Sequence, residues 1–294
     1  MHAGLSPNLD HHAEHRSDLS PAAQPAPPLA TRMPAPLLEV RDVSYSIDGV
    51  TLVDTVSLAL QPGEVLVIVG PNGAGKTTLL SLLTGDVVPS AGTVLLDGVP
   101  LPQITPRAQA QARAVMRQRI TLSFPFTVQE VVLMGRNPHL QQQGEVADDY
   151  AITRRALEAT EMRSFEERSF PTLSGGEQTR VTLARILAQT APILLLDEPT
   201  AALDLRHQYA TMQLARAVAT AGGAVLAILH DLNLAATYAD RIGLMTAGRL
   251  CTLGTPWEVL DARLLEQVYR VPIVVQPHPT MDIPLVLVSP GTPA

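Results

Sequence analysis

Gly70, Pro71, Asn72, Gly73, Ala74, Gly75, Lys76, Thr77 and Thr78 follow directly on the apolar run Val65-Leu66-Val67-Ile68-Val69. Strand, glycine loop, Lys-Thr and helix, in that order, make a phosphate cradle. Gly70, Gly73 and Gly75 allow backbone turns that a Cβ would block, so successive N–H groups can converge on phosphate oxygens. A helix opening at Lys76 adds the positive end of its dipole. The Lys76 ammonium suits the β- and γ-phosphates, and the Thr77 hydroxyl suits Mg²⁺. A chance glycine-rich loop would lack the preceding strand and the apolar helix Leu79–Leu83 that frame this one. The segment predicts a binding site for a nucleoside triphosphate.

Two further segments carry chemistry. Ile193-Leu194-Leu195-Leu196-Asp197-Glu198 reads as a buried strand ending in two acids. A carboxylate there is costly unless a cation or a bonding network compensates it. Asp197 would meet Mg²⁺, and Glu198 would orient or deprotonate an attacking water. Taken alone, Asp197 could equally be the N-cap of a following helix. In Leu173-Ser174-Gly175-Gly176-Glu177-Gln178, Ser174 is a natural N-cap. The glycines there leave N–H groups bare at a positive helix end, a second phosphate-binding surface.

The elements that must hold these groups read as an α/β fold. Leu37–Ile47 and Val50–Leu60 are predicted strands around the turn Asp48-Gly49, and Thr93–Leu96 is another, closed by Asp97-Gly98. From about 107 to 170 the pattern turns helical: Ala108–Met116, then Thr127–Gly135 opening on a capping box (Thr127, Glu130), then Tyr150–Arg163. The helix opening after Ser174 ends near Gln189, strand Ile193–Leu196 returns to the sheet, and helices at 205–220 and 231–239 alternate with strands at 224–229 and 242–246. The expectation is a mostly parallel core sheet with helices on both faces, an antiparallel β subdomain and a helical insertion. Residues 1–36 read as a disordered tail rich in Pro, Ala and His, with Met33 a second candidate start, and 271–294 as a loosely structured, proline-rich extension. His2, His11, His12 and His15 lack carboxylate or cysteine partners at ligand spacing, so a solvated tail is favoured over a metal or haem site.

Composition excludes several classes. The 294 residues are 46% hydrophobic and 17% charged, enough for a substantial core and against wholesale disorder. Net charge −7 gives no bulk attraction to nucleic acid or anionic lipid. Cys251 is the only cysteine, which excludes an intramolecular disulfide, and it is expected to be a small buried side chain. No run approaches the roughly 18 apolar residues of a membrane span. Any membrane must be reached through a partner.

The order of P-loop, Ser-Gly-Gly signature, Asp-Glu strand and downstream His230 resembles the ATP-binding subunit of ABC transporters, over roughly residues 37–270. The resemblance implies further roles. Tyr45 matches the aromatic that stacks on adenine, and Gln118 the glutamine that contacts Mg²⁺ or water and reports to the membrane partner. His230 matches the switch histidine facing the γ-phosphate, and Asp204 lies in the loop crossing a dimer interface. Read singly, Tyr45, Gln118 and His230 could be a strand aromatic, a surface polar group and a capping or core histidine. The resemblance also implies a head-to-tail homodimer. Ser174, Gly175, Gly176 and Glu177 of one chain would close on ATP held by the P-loop of the other. Glu177 before Gln178 and Ala202 in place of serine depart from the family pattern without removing a required group.

Phe124-Pro125-Phe126-Thr127-Val128 and Met134-Gly135-Arg136-Asn137-Pro138-His139 resemble importers of iron chelates, haem and cobalamin. Leu203–Gln208, His230–Asn233 and the stretch from Glu266 to Pro279 look closest to the hemin group, and Arg117 stands where that group is expected to have a proline before Gln118. Such a chain would use ATP and Mg²⁺ beneath two membrane permease subunits, fed by a periplasmic hemin-binding protein, as a peripheral subunit on the cytoplasmic face of a bacterial inner membrane. Phe124, Phe126 and helix 128–135 are apolar enough to be split between permease docking and core. The rival readings are the same role for ferric siderophores or cobalamin, a soluble non-transport ABC ATPase acting on DNA or ribosomes, and a plain P-loop kinase. Such soluble ATPases usually carry two cassettes or long coiled coils, and the Ser174 signature disfavours the kinase.

Overall fold

Strands that are apolar at every position set the middle of the molecule. The computed structural model describes residues 35–117, 124–140 and 147–289. The chain opens as a hairpin, β1 (Leu38–Ile47) and β2 (Val50–Leu60), turned by Asp48 and Gly49 at φ 50° and 77°. Two successive positive φ values give the turn whose twist matches paired strands, and Asp-Gly adopts them with little strain. β3 (Val65–Val69) leads through the glycine loop into α1 (Lys76–Leu83). β4 (Ala91–Leu96) and the short β5 (Val99–Pro100) follow, then α2 (Pro106–Ala112), capped by Thr105, which runs into β6 (Arg113–Met116). α3 (Val128–Leu133), α4 (Ala147–Ala159) and α5 (Gly175–Ala188) form the helical part. β7 (Ile193–Asp197), α6 (Leu205–Thr220), β8 (Ala224–Ile228), α7 (Leu232–Tyr238), β9 (Arg241–Thr246) and β10 (Arg249–Gly254) complete the sheet. α8 (Pro256–Val259), α9 (Ala262–Tyr269), β11 (Ile273–Pro277) and β12 (Pro284–Val288) end the described chain.

The six-stranded sheet has the order β10-β9-β3-β8-β7-β6, parallel throughout except for the antiparallel β9–β10 pair. A second, antiparallel sheet has the order β2-β1-β4-β5. β3 shows how one strand joins two cores. Val65, Val67 and Val69 enter a cluster with α6 and α7 residues such as Met212 and Leu234, whereas Leu66 and Ile68 enter one with α1 and the antiparallel sheet. Alternation with period two on a strand buried on both faces produces this division. α3, α4 and α5 share a third cluster around Val131, Leu157 and Val181. A buried ion pair, Arg136 Nε to Asp149 Oδ1 at 2.8 Å, fastens it, and Arg136 also donates to Ala188 O and Thr190 Oγ1.

Four expectations change. The stretch 108–116 is not one helix: α2 stops at Ala112, and Arg113–Met116 pair in parallel with Ile193–Leu196 of β7. Four residues carry no decisive periodicity, and the available strand edge overrides their helical reading. The helix expected at 150–163 runs instead from Ala147 to Ala159, and Glu161 beyond it takes φ 57°. The proline-rich end contains the hairpin β11–β12, its prolines Pro277 and Pro284 paired at the hairpin's end, where a missing N–H costs the ladder least. Cys251 is exposed on β10 rather than buried.

Candidate active site

The glycine loop has its shape because neighbouring backbone leaves no room for side chains. A Cβ on Gly70 (φ 150°) would lie 2.1 Å from Met245 O, and one on Gly75 (φ 94°) 2.4 Å from Leu52 O. The β9–β10 turn braces the loop, Gly248 N donating to Ala74 O at 3.0 Å. Lys76 is buried, and its ammonium donates to Gly70 O at 2.7 Å and Pro71 O at 3.0 Å. Burial pulls the Lys76 pKa down, while the Glu198 and Asp197 carboxylates push it back up. The cation is held in the loop it would leave for a phosphate.

Asp197 ends β7 with 3% of its surface exposed. Burial raises its pKa and the neighbouring Glu198 raises it further, against Arg117, a hydrogen bond from the Thr77 hydroxyl, and Lys76. Its Oδ1 is buried with no hydrogen-bond partner. Glu198 follows at φ 49°, its N–H donating to Ile228 O at 3.2 Å. The Oε1 of Glu198 lies 2.6 Å from His230 Nε2. Thr77, Lys76, Asp197, Glu198 and His230 thus form one interacting cluster from three segments distant in sequence. An unpaired buried carboxylate oxygen beside a hydroxyl fits a hard divalent cation, and Mg²⁺ takes one or two such protein oxygens and completes its shell with phosphate and water.

Ser174 is the N-cap of α5. Its hydroxyl accepts from Glu177 N at 3.4 Å, and Glu177 Oε2 accepts from Ser174 N at 2.7 Å. That reciprocal box holds the Glu177 carboxyl below its ordinary range and leaves the first-turn N–H groups of Gly175 and Gly176 without an intrahelical acceptor. Asp204 caps α6, accepting from His207 N at 2.9 Å and lying 2.7 Å from His207 Nδ1. Both segments line an open depression of about 540 Å³ together with Arg180, Ala202 and Leu203. No P-loop residue lines it.

Other expected residues fall differently. Tyr45 is half-buried in β1, opposite Val53. Gln118 lies outside the described residues, as do His2, His11, His12 and His15. Of the apolar segment read as part docking surface, Val128, Val131 and Val132 are fully buried, while Phe124 is 68% exposed. Arg117 was legible only as a departure from pattern. The structure sets it against Asp86, with bonds to Ser81 Oγ and Thr84 Oγ1, and within electrostatic reach of Asp197. Asn233 and Tyr269 stood in stretches that carry the hemin-group resemblance but with no role of their own, and the structure places both against the site's supports.

Residues 53–201 match the family model described as ABC transporter. The hemin import ATP-binding protein HmuV of Thermobifida fusca is 46% identical over 261 residues, 89% of this chain and 92% of that protein. HmuV of Nocardia farcinica is 49% identical over 236 residues, covering 80% and 82%. A bacterial ABC transporter cassette solved as a dimer superposes with a TM-score of 0.67 at 26% identity, over 74% of this chain and 98% of that one.

Proposed function

This chain belongs to the ATP-binding family of ABC transporters, and we propose that it is the ATP-binding and hydrolysing subunit of a bacterial hemin importer. The observation that carries the proposal is the identity of 46–49% to hemin import ATP-binding proteins over most of both chains. The cluster around Lys76 and Glu198 supplies the chemistry such a subunit needs.

In this reading the glycine-loop N–H groups and Lys76 hold the β- and γ-phosphates, and Tyr45 stacks on the adenine. Thr77 and Asp197, with Gln118, hold Mg²⁺, which neutralises charge on the phosphates when bound. Glu198 accepts the proton of the water that attacks the γ-phosphorus as the bond to ADP breaks. His230 keeps the Glu198 carboxylate turned toward that water. Two chains pair so that the Ser174 surface of one covers the P-loop of the other, the bare N–H groups of Gly175 and Gly176 meeting the γ-phosphate and Asp204 lying at the interface. No described helix is long and apolar enough to cross a membrane. The pair therefore docks peripherally, on the cytoplasmic face of the inner membrane, beneath two permease subunits that receive hemin from a periplasmic binding protein. Phe124 contributes to that docking.

The test is ATP-driven release from proteoliposomes that hold the permease with this subunit facing outward, the lumen loaded with the binding protein and with hemin, a ferric siderophore and cobalamin as competing cargoes. Hemin alone should be moved, only with ATP and Mg²⁺, and not by Glu198→Gln. Movement of another cargo in its place would reassign the substrate.

A further inference from the structure

His230 sits between β8 and α7, in a segment with no regular structure. Its side chain is 48% exposed, yet its Nε2 lies 2.6 Å from Glu198 Oε1. Something must hold that segment in place. Asp231 supplies part of the answer as the N-cap of α7, its Oδ1 accepting from Asn233 N at 2.8 Å and Leu234 N at 3.0 Å. A cap ties the segment to the helix but does not locate the helix.

The second restraint comes from the far end of the chain. Asn233 Nδ2 donates to Val286 O at 3.0 Å, and Val286 N donates to Asn233 Oδ1 at 2.7 Å. One side-chain amide thus satisfies both backbone groups of a β12 residue, as a neighbouring strand would. β12 is itself fixed. Val286 and Ile273 are buried in the same cluster as Leu234 and Ala235 of α7, and Ile273 N donates to Glu266 Oε1 at 3.0 Å. The preceding helix ends at Tyr269, whose buried hydroxyl faces the Gly70 backbone N–H, and burial pushes that phenol up to about 12. The C-terminal segment therefore touches both the glycine loop and the helix that carries the His230 segment.

We propose that Asn233, clamped by the β11–β12 hairpin, is a positioning residue that sets His230 against Glu198 for hydrolysis. The proposal rests on the reading of Glu198 and His230 as the hydrolytic pair. It assigns the hairpin a part in turnover rather than in stability alone.

A double-mutant cycle on the full chain tests it, with ATP affinity, kcat and thermal midpoint measured for each protein. Asn233→Ala should lower kcat about tenfold, the order expected for a misplacement well under 1 Å, with ATP affinity within about twofold. Asn233→Asp keeps the acceptor for Val286 N and should fall between the two, which preserves the test if the alanine variant folds poorly. In a His230→Ala background, Asn233→Ala should cost nothing further, because its effect runs through the absent ring. Additive losses in the cycle, or an unchanged kcat in both Asn233 variants while His230→Ala is impaired, would overturn the proposal and leave the hydrolytic pair standing. A His230→Ala protein hydrolysing at the wild-type rate would overturn the pair and the proposal together.

Discussion

The surfaces around Lys76 and around Ser174 both expose or approach phosphate-binding groups, yet they are finished to different degrees. Around Lys76 the charges are buried and strained. The ammonium is desolvated, Asp197 carries an unpaired oxygen with its pKa pushed up, and Glu198 stands at a positive φ. Around Ser174 the charges are paired instead, although Ala202 beside it also takes a positive φ of 62°. Glu177, half-buried, and Asp204, exposed, are carboxylates whose oxygens accept N–H groups of their own helix starts, and both are held below the ordinary carboxylate range by those bonds. In the proposed reading the first surface is destabilised by the function it serves, and ligand would relieve it. The second is stable alone and lacks only something to cover. This contrast is what a site divided between two chains requires.

The largest way to break the contrast is Lys76→Ala. It removes the buried cation, and hydrolysis by the purified chain should fall by about a hundredfold or more, with ATP binding weakened in parallel. A steady-state ATPase assay with nucleotide titration checks both. Ser174→Asp sharpens it from the other side. Aspartate caps a helix as well as serine does, so the thermal midpoint should stay within about 1 °C. The added charge would face the γ-phosphate held by the partner, and ATPase activity should fall roughly tenfold or more. Loss of the midpoint alongside activity would mean that Ser174 acts only as a cap.

Asp197→Asn inverts the usual expectation. Because burial and Glu198 raise the folded pKa of Asp197, ionisation destabilises the ligand-free chain as pH rises above the ordinary carboxylate value near 4. The amide should stabilise the nucleotide-free protein at pH 7 by about 1 kcal/mol, roughly 2–4 °C in midpoint, while Mg²⁺-dependent hydrolysis is lost. The stabilisation should vanish below pH 4, where the wild-type carboxyl is protonated too. Differential scanning fluorimetry across pH checks the sign. The smallest effect is expected from deleting residues 1–32, whose composition cannot repay ordering entropy. Folding and ATPase rate should be unchanged within error in the same two assays.

How much of this was legible before the structure depended on how local each signal is. The glycine loop, the Thr127–Glu130 capping box, the Ser174 N-cap and the strands at 65–69 and 193–197 are written in contiguous residues, and the structure has them where the spacing predicts. β6 was missed because its strand identity comes from pairing with β7, eighty residues later. The β11–β12 hairpin was hidden by prolines that read as disorder but stand at its ends. Val128 looked available for docking because an apolar helix does not announce which of its faces is covered. It is fully buried, so Phe124→Glu is the substitution that can test docking without unfolding the helical part. The pairing of His230 with Glu198 joins β7 to the segment after β8, which no local pattern encodes.

The divided site is tested most directly by the mass of Glu198→Gln in solution. The amide is nearly isosteric, so ATP binds while the water is left without its base. Size-exclusion chromatography with light scattering, without Mg²⁺, should show monomer in the absence of nucleotide and dimer with ATP. The dimer should be lost when Ser174→Asp is added. A Glu198→Gln chain that binds ATP and remains monomeric, or a dimer indifferent to Ser174→Asp, would contradict the account.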